Sequence, residues 1–512
     1  MQDSCMAPST SRFTAAEVGK FLEEKASKAE HEDEGESESE SESESESDNA
    51  NDYKASNTST VYYRQEPFHI FKESVAKLCS REFDNATITI EHMRGGTYNR
   101  ITAIVVDHLP PRTLSMPWFC SFFSSHEDQA EAQQQKRYIL RTLRREQSAD
   151  DWGMGYDAPT LTFARRIFGS VVPEIVRVNF RSENILKRPY TIQERLPGQN
   201  LNRIWRSLTM AQKECALRII VDLTKELHEI KNSAAGVIAH TDFTNSTSRV
   251  DICMHTFKVG HSDIPASVGP RISLAKPQTT LEFMLEQARR WERLDEYHWS
   301  NYQHAPNKHR WGHFMIIAQS LHDMGFITDD DQFYFCHLDL YARNILVEIE
   351  DDETLNLTGV LDWDAEFAHF CPKFVAYRTP FWLWLDEGLD EWHEMNAAMQ
   401  PTDPELIRLK NLWEELASEE WKRYAYTPEY MIARRLFTRL RDGICRVGDG
   451  EDAQGIVDDW QQLHYDERLV TVERFDTGSQ SGSDMDMDSD DEGIEAQLRR
   501  EVSSDGCEIR ML

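Results

Sequence analysis

The 512-residue sequence predicts an α+β chain of two lobes, a small antiparallel β-lobe followed by a larger, mainly helical lobe, with a disordered acidic tail at each end. Three observations predict it. Between residues 87 and 198, short runs of β-type alternation follow one another, the first two joined across a glycine-bearing turn. From about residue 200, apolar residues recur at helical spacing instead. The acidity is concentrated in two low-complexity runs rather than spread over the chain.

The tails come first. Residues 30–52 hold twelve acidic and no Lys or Arg side chains, and residues 473–492 hold eight acidic ones against a single Arg474. Together they supply −19 of the formal net charge of −33. The Ser-Glu alternation from Glu36 to Ser47 offers nothing to bury, and like-charge repulsion extends it. Such a run suits either a solvating tail or a target of acid-directed kinases, and the stretch Gly478 to Gly493 reads the same way. This balance argues against general binding to nucleic acid or anionic membrane. The expected organisation is a tail over 1–59, a small lobe over 60–198, a large lobe over 199–470 and a second tail over 471–512. Nine scattered cysteines without a C-x-x-C pair suit reduced thiols in the cytoplasm or nucleus. Met1 to Arg12 lacks a signal-peptide core, and no run of about eighteen apolar residues is present to span a bilayer.

In the small lobe, Thr87 to His92 alternates as a strand, Arg94 to Arg100 breaks it with Gly95 and Gly96, and Ile101 to Val106 resumes it. Tyr138 to Arg141 reads as a third strand, residues 157–168 as a helix, Glu174 to Val178 and Tyr190 to Leu196 as two more strands ending at Pro197-Gly198. In the large lobe, helices are expected over Ala211–Lys231, Thr280–Tyr297, Trp311–Met324, Glu405–Arg423 and Pro428–Gly443, with a loop or insertion over 241–280.

Within the large lobe one segment carries chemistry. Phe333 to Cys336 is an apolar strand leading into His337, Leu338 and Asp339, and Asn344 follows five positions after Asp339. Ile345 to Ile349 is a strand, Glu350 to Glu353 a polar turn, and Leu357 to Leu361 a strand returning the chain to Asp362, Trp363 and Asp364. The hairpin brings Asp362 back to Asn344. Phosphoryl transfer needs this set: a carboxylate to orient and deprotonate a hydroxyl, and an oxygen pair to hold Mg²⁺ on the phosphates. Asp339 suits the first role, Asn344 and Asp362 the second, while His337 braces the loop through a backbone hydrogen bond. Arg343 either neutralises nearby carboxylates or stays at the surface, and Asp364 is either a further metal carboxylate or an ordinary surface acid. A metal-dependent hydrolase is a rival, since His-x-Asp also occurs as a ligand pair, but it would require further ligands from other strands.

These stretches resemble the aminoglycoside phosphotransferase and choline kinase-like group of the protein-kinase-like fold, especially its large eukaryotic branch. The similarity runs over about residues 85–400, through Arg94 to Arg100, Tyr138 to Arg141, Tyr190 to Gly198, His337 to Leu346 and Val360 to Asp364. It implies ATP and Mg as cofactors, Asp339 as catalytic base supported by His337, and Asn344 and Asp362 as metal ligands. The turn holding Gly95, Gly96, Thr97 and Asn99 would lie over the nucleotide phosphates, where glycines admit close backbone approach; a plain hairpin turn is the competing reading. Gln193, Glu194 and Leu196 would take the interlobe position against the adenine edge. Two departures stand out. Leu338 occupies a position where the group offers Gly or Arg, and Arg141, with Lys136 just ahead, stands where the group has a phosphate-holding lysine. Arg is a permanent cation of different shape, and Asp157 on the next helix is its expected acidic partner; a surface strand residue is the other reading of Arg141.

The resemblance leaves the hydroxyl-bearing acceptor open. Phe381 to Glu387 combines aromatic and acidic groups that suit either a cationic alcohol or plain core packing of the Trp residues. The function implied is transfer of the ATP γ-phosphate to a hydroxyl of a small molecule. The alternative is a weak or inactive kinase-like scaffold whose acidic tails recruit partners.

Overall fold

In the computed structural model, residues 65–93, 95, 99–108, 135–144, 154–239, 252–260, 268–302, 307–391 and 393–464 are described. Both expected acidic tails lie outside them, as do Gly96 and Thr97 of the glycine turn. Residues up to Trp460 form one unit; of the second, 461–512, only 461–464 are described.

A five-stranded antiparallel sheet makes the small lobe. Its strands are β1 (Ala86–His92), β2 (Asn99–His108), β3 (Lys136–Leu143), β4 (Ile175–Asn179) and β5 (Tyr190–Glu194), in the order β1-β2-β3-β5-β4. Period-2 alternation drives this arrangement: Tyr138 and Leu140 turn to one face of β3, Ile139 and Arg141 to the other. Helix α1 (Phe68–Glu82) covers the first face. Phe71, Val75, Leu78 and Cys79 of α1 pack with Ile90, Ile104, Val106, Leu140 and Ile192 into one apolar core. This helix is not among the elements expected from the sequence, although Phe71, Val75 and Leu78 recur at helical spacing. The opposite face, which carries Arg141, looks toward α2 (Met154–Phe168) and the large lobe.

The chain crosses over through β6 (Gln199–Asn200) and α3 (Leu201–Ile204) into the long helix α4 (Met210–His228). Thr209 and Gln212 form a reciprocal capping box at its start. The same two side chains donate to the Asp352 and Asp351 carbonyls, fixing α4 to a later hairpin turn. Gly198 sits at the crossover with φ +95°, and a Cβ there would lie 2.1 Å from Thr358 Oγ1 and 2.9 Å from the Val347 carbonyl oxygen. Gly198→Ala is therefore expected to cost about 3 kcal/mol, from left-handed backbone strain plus the clash. A urea midpoint equal to that of the unchanged protein would refute this.

Two short strands, β7 (Lys231–Asn232) and β8 (Val237–Ile238), follow. The span 241–280 is not wholly a loop: β9 (Met254–His255) pairs with β8. Next come α5 (Thr280–Tyr302) and α6 (Lys308–Asp323), then β10 (Phe333–His337), which is buried throughout. The hairpin of β11 (Ile345–Ile349) and β12 (Leu355–Val360) has the expected antiparallel pairing, with a bulge at Leu346/Val347, and β13 (Ala368–Pro372) pairs with β10. The remainder is helical: α7 (Lys373–Ala376), α8 (Pro404–Leu416), α9 (Glu419–Tyr426), α10 (Pro428–Asp442) and α11 (Val447–Leu463). The single helix expected over Glu405–Arg423 is two, because Ser418 turns its side chain to accept the Trp421 N–H and starts a new helix. Trp311, Trp363, Trp384, Trp413 and Trp421 are fully buried, and Phe381 and Leu383 are buried with them, so the aromatic run 381–384 contributes largely to the core. Among the described residues no helix is long and apolar enough to cross a membrane.

Candidate active site

β10 carries the chain to the cleft edge, and a tight turn then presents Asp339. The Tyr341 N–H bonds the Asp339 carbonyl at 2.9 Å, and the Asn344 N–H bonds the Tyr341 carbonyl at 2.9 Å. From the other side, the Leu338 N–H reaches the Phe367 carbonyl at 2.8 Å and Arg378 bonds the Leu338 carbonyl at 3.0 Å. Asn200, at the crossover, holds the Arg343 carbonyl at 2.6 Å. The loop is thus tied to both neighbouring strands and to the interlobe crossing.

Asp339 is buried, and both its carboxylate oxygens are engaged. Oδ1 accepts from the Arg343 guanidinium, and Oδ2 accepts from Asn344 Nδ2 at 2.6 Å. Arg343 also bonds Glu391 at 3.0 Å and lies over the Tyr341 ring at 4.2 Å. Of the two readings of Arg343, charge neutralisation is the one its position supports. Asn344 uses its amide nitrogen on Asp339, which leaves its Oδ1 as the oxygen available to a cation.

His337 lies deeper. Burial lowers its pKa, so the ring is neutral, and its Nε2–H donates to the Leu361 carbonyl at 2.8 Å. That tautomer leaves the buried Nδ1 without a hydrogen-bond partner. The ring packs edge-on against Trp363, which donates to the Val360 carbonyl at 2.9 Å. His337 therefore joins the strand before Asp339 to the residue before Asp362.

Asp362 adopts φ +66°, a left-handed conformation that a non-glycine residue holds only where its surroundings enforce it. The Leu361 N–H bonds the Asn344 carbonyl at 2.8 Å, which fixes Asp362 beside Asn344. Removal from bulk water, and then the neighbouring Asp364, push the Asp362 carboxyl up to about 7 against the pull of Arg141. Arg141 Nη2 lies 2.7 Å from Asp364 Oδ2 and 3.3 Å from Asp362 Oδ1. Arg141 is consequently no surface strand residue, and Asp364 no ordinary surface acid. The pairing expected with Asp157 is replaced: Asp157 Oδ1 accepts the Ala365 N–H at 2.9 Å and faces Arg141 only at longer range. Burial, and then Asp364, raise the Asp157 pKa well above the usual carboxylate range.

Arg141, Asp157, Ile175, Thr191, Gln193 and Asp364 line one small cleft. Gln193 Oε1 is buried there without a partner. The N–H groups of Glu194 and Arg195 bond the Glu174 and Arg137 carbonyls at 2.8 and 3.0 Å, so in this segment the N–H left over from the sheet is that of Leu196. The Glu194 side chain pairs with Arg165 at 3.3 Å. The turn itself calls for glycine at Gly95, since a Cβ would fall 2.5 Å from the Asn99 carbonyl oxygen and 2.9 Å from Arg144. The structure brings Asp339, Asn344, Asp362 and Arg141 together, whereas His337 stands behind them. Glu391 and Arg378 carry no sequence signal, being 48 and 40 residues from the groups they hold.

For magnesium, a carboxylate, an amide oxygen and phosphate oxygens from a nucleotide are an ordinary set. Asp362 and Asn344 Oδ1 fit it. Among the described residues no group of three or more His, Cys, Asp or Glu side chains is gathered to hold a metal.

A small antiparallel lobe joined by a short crossing to a larger helical lobe, with this loop between them, is the protein-kinase-like fold. Residues 122–365, a segment that contains β3, α2 and the whole Asp339–Asp364 region, match the model of the phosphotransferase enzyme family, APH. No curated protein matches the chain. Among solved structures it is similar to a thermostable mutant of aminoglycoside phosphotransferase APH(4)-Ia in ternary complex with AMP-PNP and hygromycin B, at 16% identity, 77% of this chain, 99% of that one and TM-score 0.37. A putative aminoglycoside phosphotransferase from Ralstonia eutropha has 11% identity, 77% and 98% coverage and TM-score 0.37. The GDP and kanamycin complex of APH(2")-IIia has 12% identity, 78% and 99% coverage and TM-score 0.32.

Proposed function

We propose that this chain is an ATP- and Mg²⁺-dependent phosphotransferase that moves the γ-phosphoryl group to a hydroxyl of a small-molecule acceptor. The observation that supports it most is Asp339: a buried carboxylate oriented by Arg343 and Asn344, beside an Asp362 held in a left-handed backbone. Residues 60–198 would bind nucleotide and residues 199–470 would hold the acceptor. Asp339 accepts the acceptor's hydroxyl proton and aims its oxygen at the phosphorus. Asn344 and Asp362 would hold the metal, and a bound Mg²⁺ would supply charge neutralisation on the phosphates. Arg141 would supply a further cation to the phosphates, Leu196 a backbone N–H to the base, and Gly95, Gly96, Thr97 and Asn99 the cover over the phosphates. His337 acts on Asp339 through the loop backbone. Positioning and charge complementarity are the sources of acceleration. The free cysteines suit a reducing compartment, cytoplasm or nucleus.

The second reading, a binding scaffold with partner-recruiting acidic tails, is favoured by Arg141 in the lysine's place. Thermal shift with millimolar ATP separates the two. The phosphotransferase should show a melting-temperature rise of several degrees that depends on Mg²⁺, and Asp362→Ala should make the rise independent of metal. An absent rise favours the scaffold, and an unchanged metal response in Asp362→Ala removes Asp362 from the ligand set. A screen of ATP consumption across hydroxyl-bearing metabolites then identifies the acceptor.

A further inference from the structure

We infer that Arg141 is an exchangeable counter-ion that occupies the Asp362–Asp364 cation site until nucleotide arrives, and that Asp364 is part of that site. The inference rests on the metal role proposed for Asp362. A single guanidinium nitrogen bridges the two carboxylates, at 2.7 Å from Asp364 and 3.3 Å from Asp362, and the Arg141 side chain is only 13% exposed. Among the described residues neither carboxylate has another ion pair. Asp157 adds a third acidic group at longer range, fixed by the Ala365 N–H.

The consequence follows from charge and from the chemistry of arginine. A divalent ion entering the nucleotide-free site meets a resident cation between the carboxylates it needs, and like charges repel most strongly where water is scarce. A lysine could leave such a site by losing its proton. Arginine keeps its charge at every relevant pH, so it leaves only when another anion takes it. The triphosphate is that anion, because β3 places Arg141 on the sheet face toward the cleft. Once Arg141 turns to phosphate, Asp362 and Asp364 are without a cation, and Mg²⁺ becomes their partner. Metal and nucleotide then bind synergistically, with Arg141 carrying the coupling between them.

The test reads metal binding, not turnover. Mn²⁺ is titrated into the full chain without nucleotide and followed by electron paramagnetic resonance, for the unchanged protein and for Arg141→Met, which keeps apolar bulk and removes the charge. Arg141→Met should bind Mn²⁺ at least about tenfold more tightly, a gain expected when buried carboxylates lose their counter-ion. Adding Asp364→Asn to Arg141→Met should erase that gain. Equal Mn²⁺ affinity in the unchanged protein and Arg141→Met overturns the inference, and a gain that survives Asp364→Asn removes Asp364 from the site. Arg141→Gln, which retains a polar side chain of similar reach, gives the same comparison if the methionine variant does not fold. A separate arm adds AMP-PNP with Mn²⁺ to the unchanged protein. Failure to hold the pair there counts against the phosphotransferase reading, whereas failure of the nucleotide-free comparison counts against the counter-ion alone.

Discussion

Asp339→Asn is expected to lower phosphate transfer from ATP by about 10³-fold, the usual worth of a positioned general base. The substitution preserves shape and removes the carboxylate. Its effect is enlarged by the surroundings: both oxygens now accept, one from Arg343 and the other from Asn344 Nδ2 at 2.6 Å. An asparagine amide must turn a donor toward one of those donors, so the loop also loses one of the bonds that orient it. Nucleotide and metal affinity should change little, because Arg141, Asp362 and the sheet segment ending at Leu196 are untouched. The measurement pairs ATP consumption, on the best acceptor of the metabolite screen, with the ATP-induced thermal shift. Full turnover in Asp339→Asn would take the base away from this residue. Loss of the thermal shift along with turnover would instead show that the loop had collapsed.

Much of this centre is legible in the sequence because its spacing is local. Five residues separate Asp339 from Asn344, and β11 and β12 announce themselves by apolar content around a polar turn, so the return of Asp362 to Asn344 follows from a hairpin. Contacts across long stretches of chain are another matter. Arg141 meets Asp362 and Asp364 over separations of 221 and 223 residues, and Arg343 meets Glu391 over 48. No periodicity encodes such pairs. The expectation that Asp157 would hold Arg141 followed from chain order alone; the turn at Ala365 takes the Asp157 carboxylate through a backbone N–H instead, a competitor that spacing cannot show. Helix α1 is illegible in the sequence for a different reason. Its apolar face is narrow and interrupted by charged residues, and its value appears only when the sheet it covers is in place.

Arg434→Met should be the most damaging substitution to stability, at about 3–5 kcal/mol, the cost of leaving one member of a buried ion pair alone. Arg434 is 3% exposed and stands in the middle of α10. Its Nε donates to Glu394 at 2.7 Å, and its remaining nitrogens donate to the Phe374, Tyr424 and Ala425 carbonyls at 3.1, 2.9 and 3.1 Å. One side chain therefore satisfies three elements, α7, α9 and the 3₁₀ turn Glu394–Ala398. Methionine fills similar volume, so packing alone would predict a small loss. The electrostatic account predicts a large one, because Glu394 and three carbonyls are left without donors in a dry region. The double substitution Arg434→Met with Glu394→Gln should recover part of the deficit by removing the stranded charge. Urea midpoints of the singles and the double decide it: losses that simply add would mean that the pair is not coupled. The effect should reach the cleft as well. Glu394 lies three residues after Glu391, which holds Arg343 against Asp339, and α7 leads directly to Arg378, which holds the Leu338 carbonyl. A folded Arg434→Met protein should therefore lose turnover beyond its loss of stability, with nucleotide affinity preserved, since the sheet that receives the nucleotide lies outside this network.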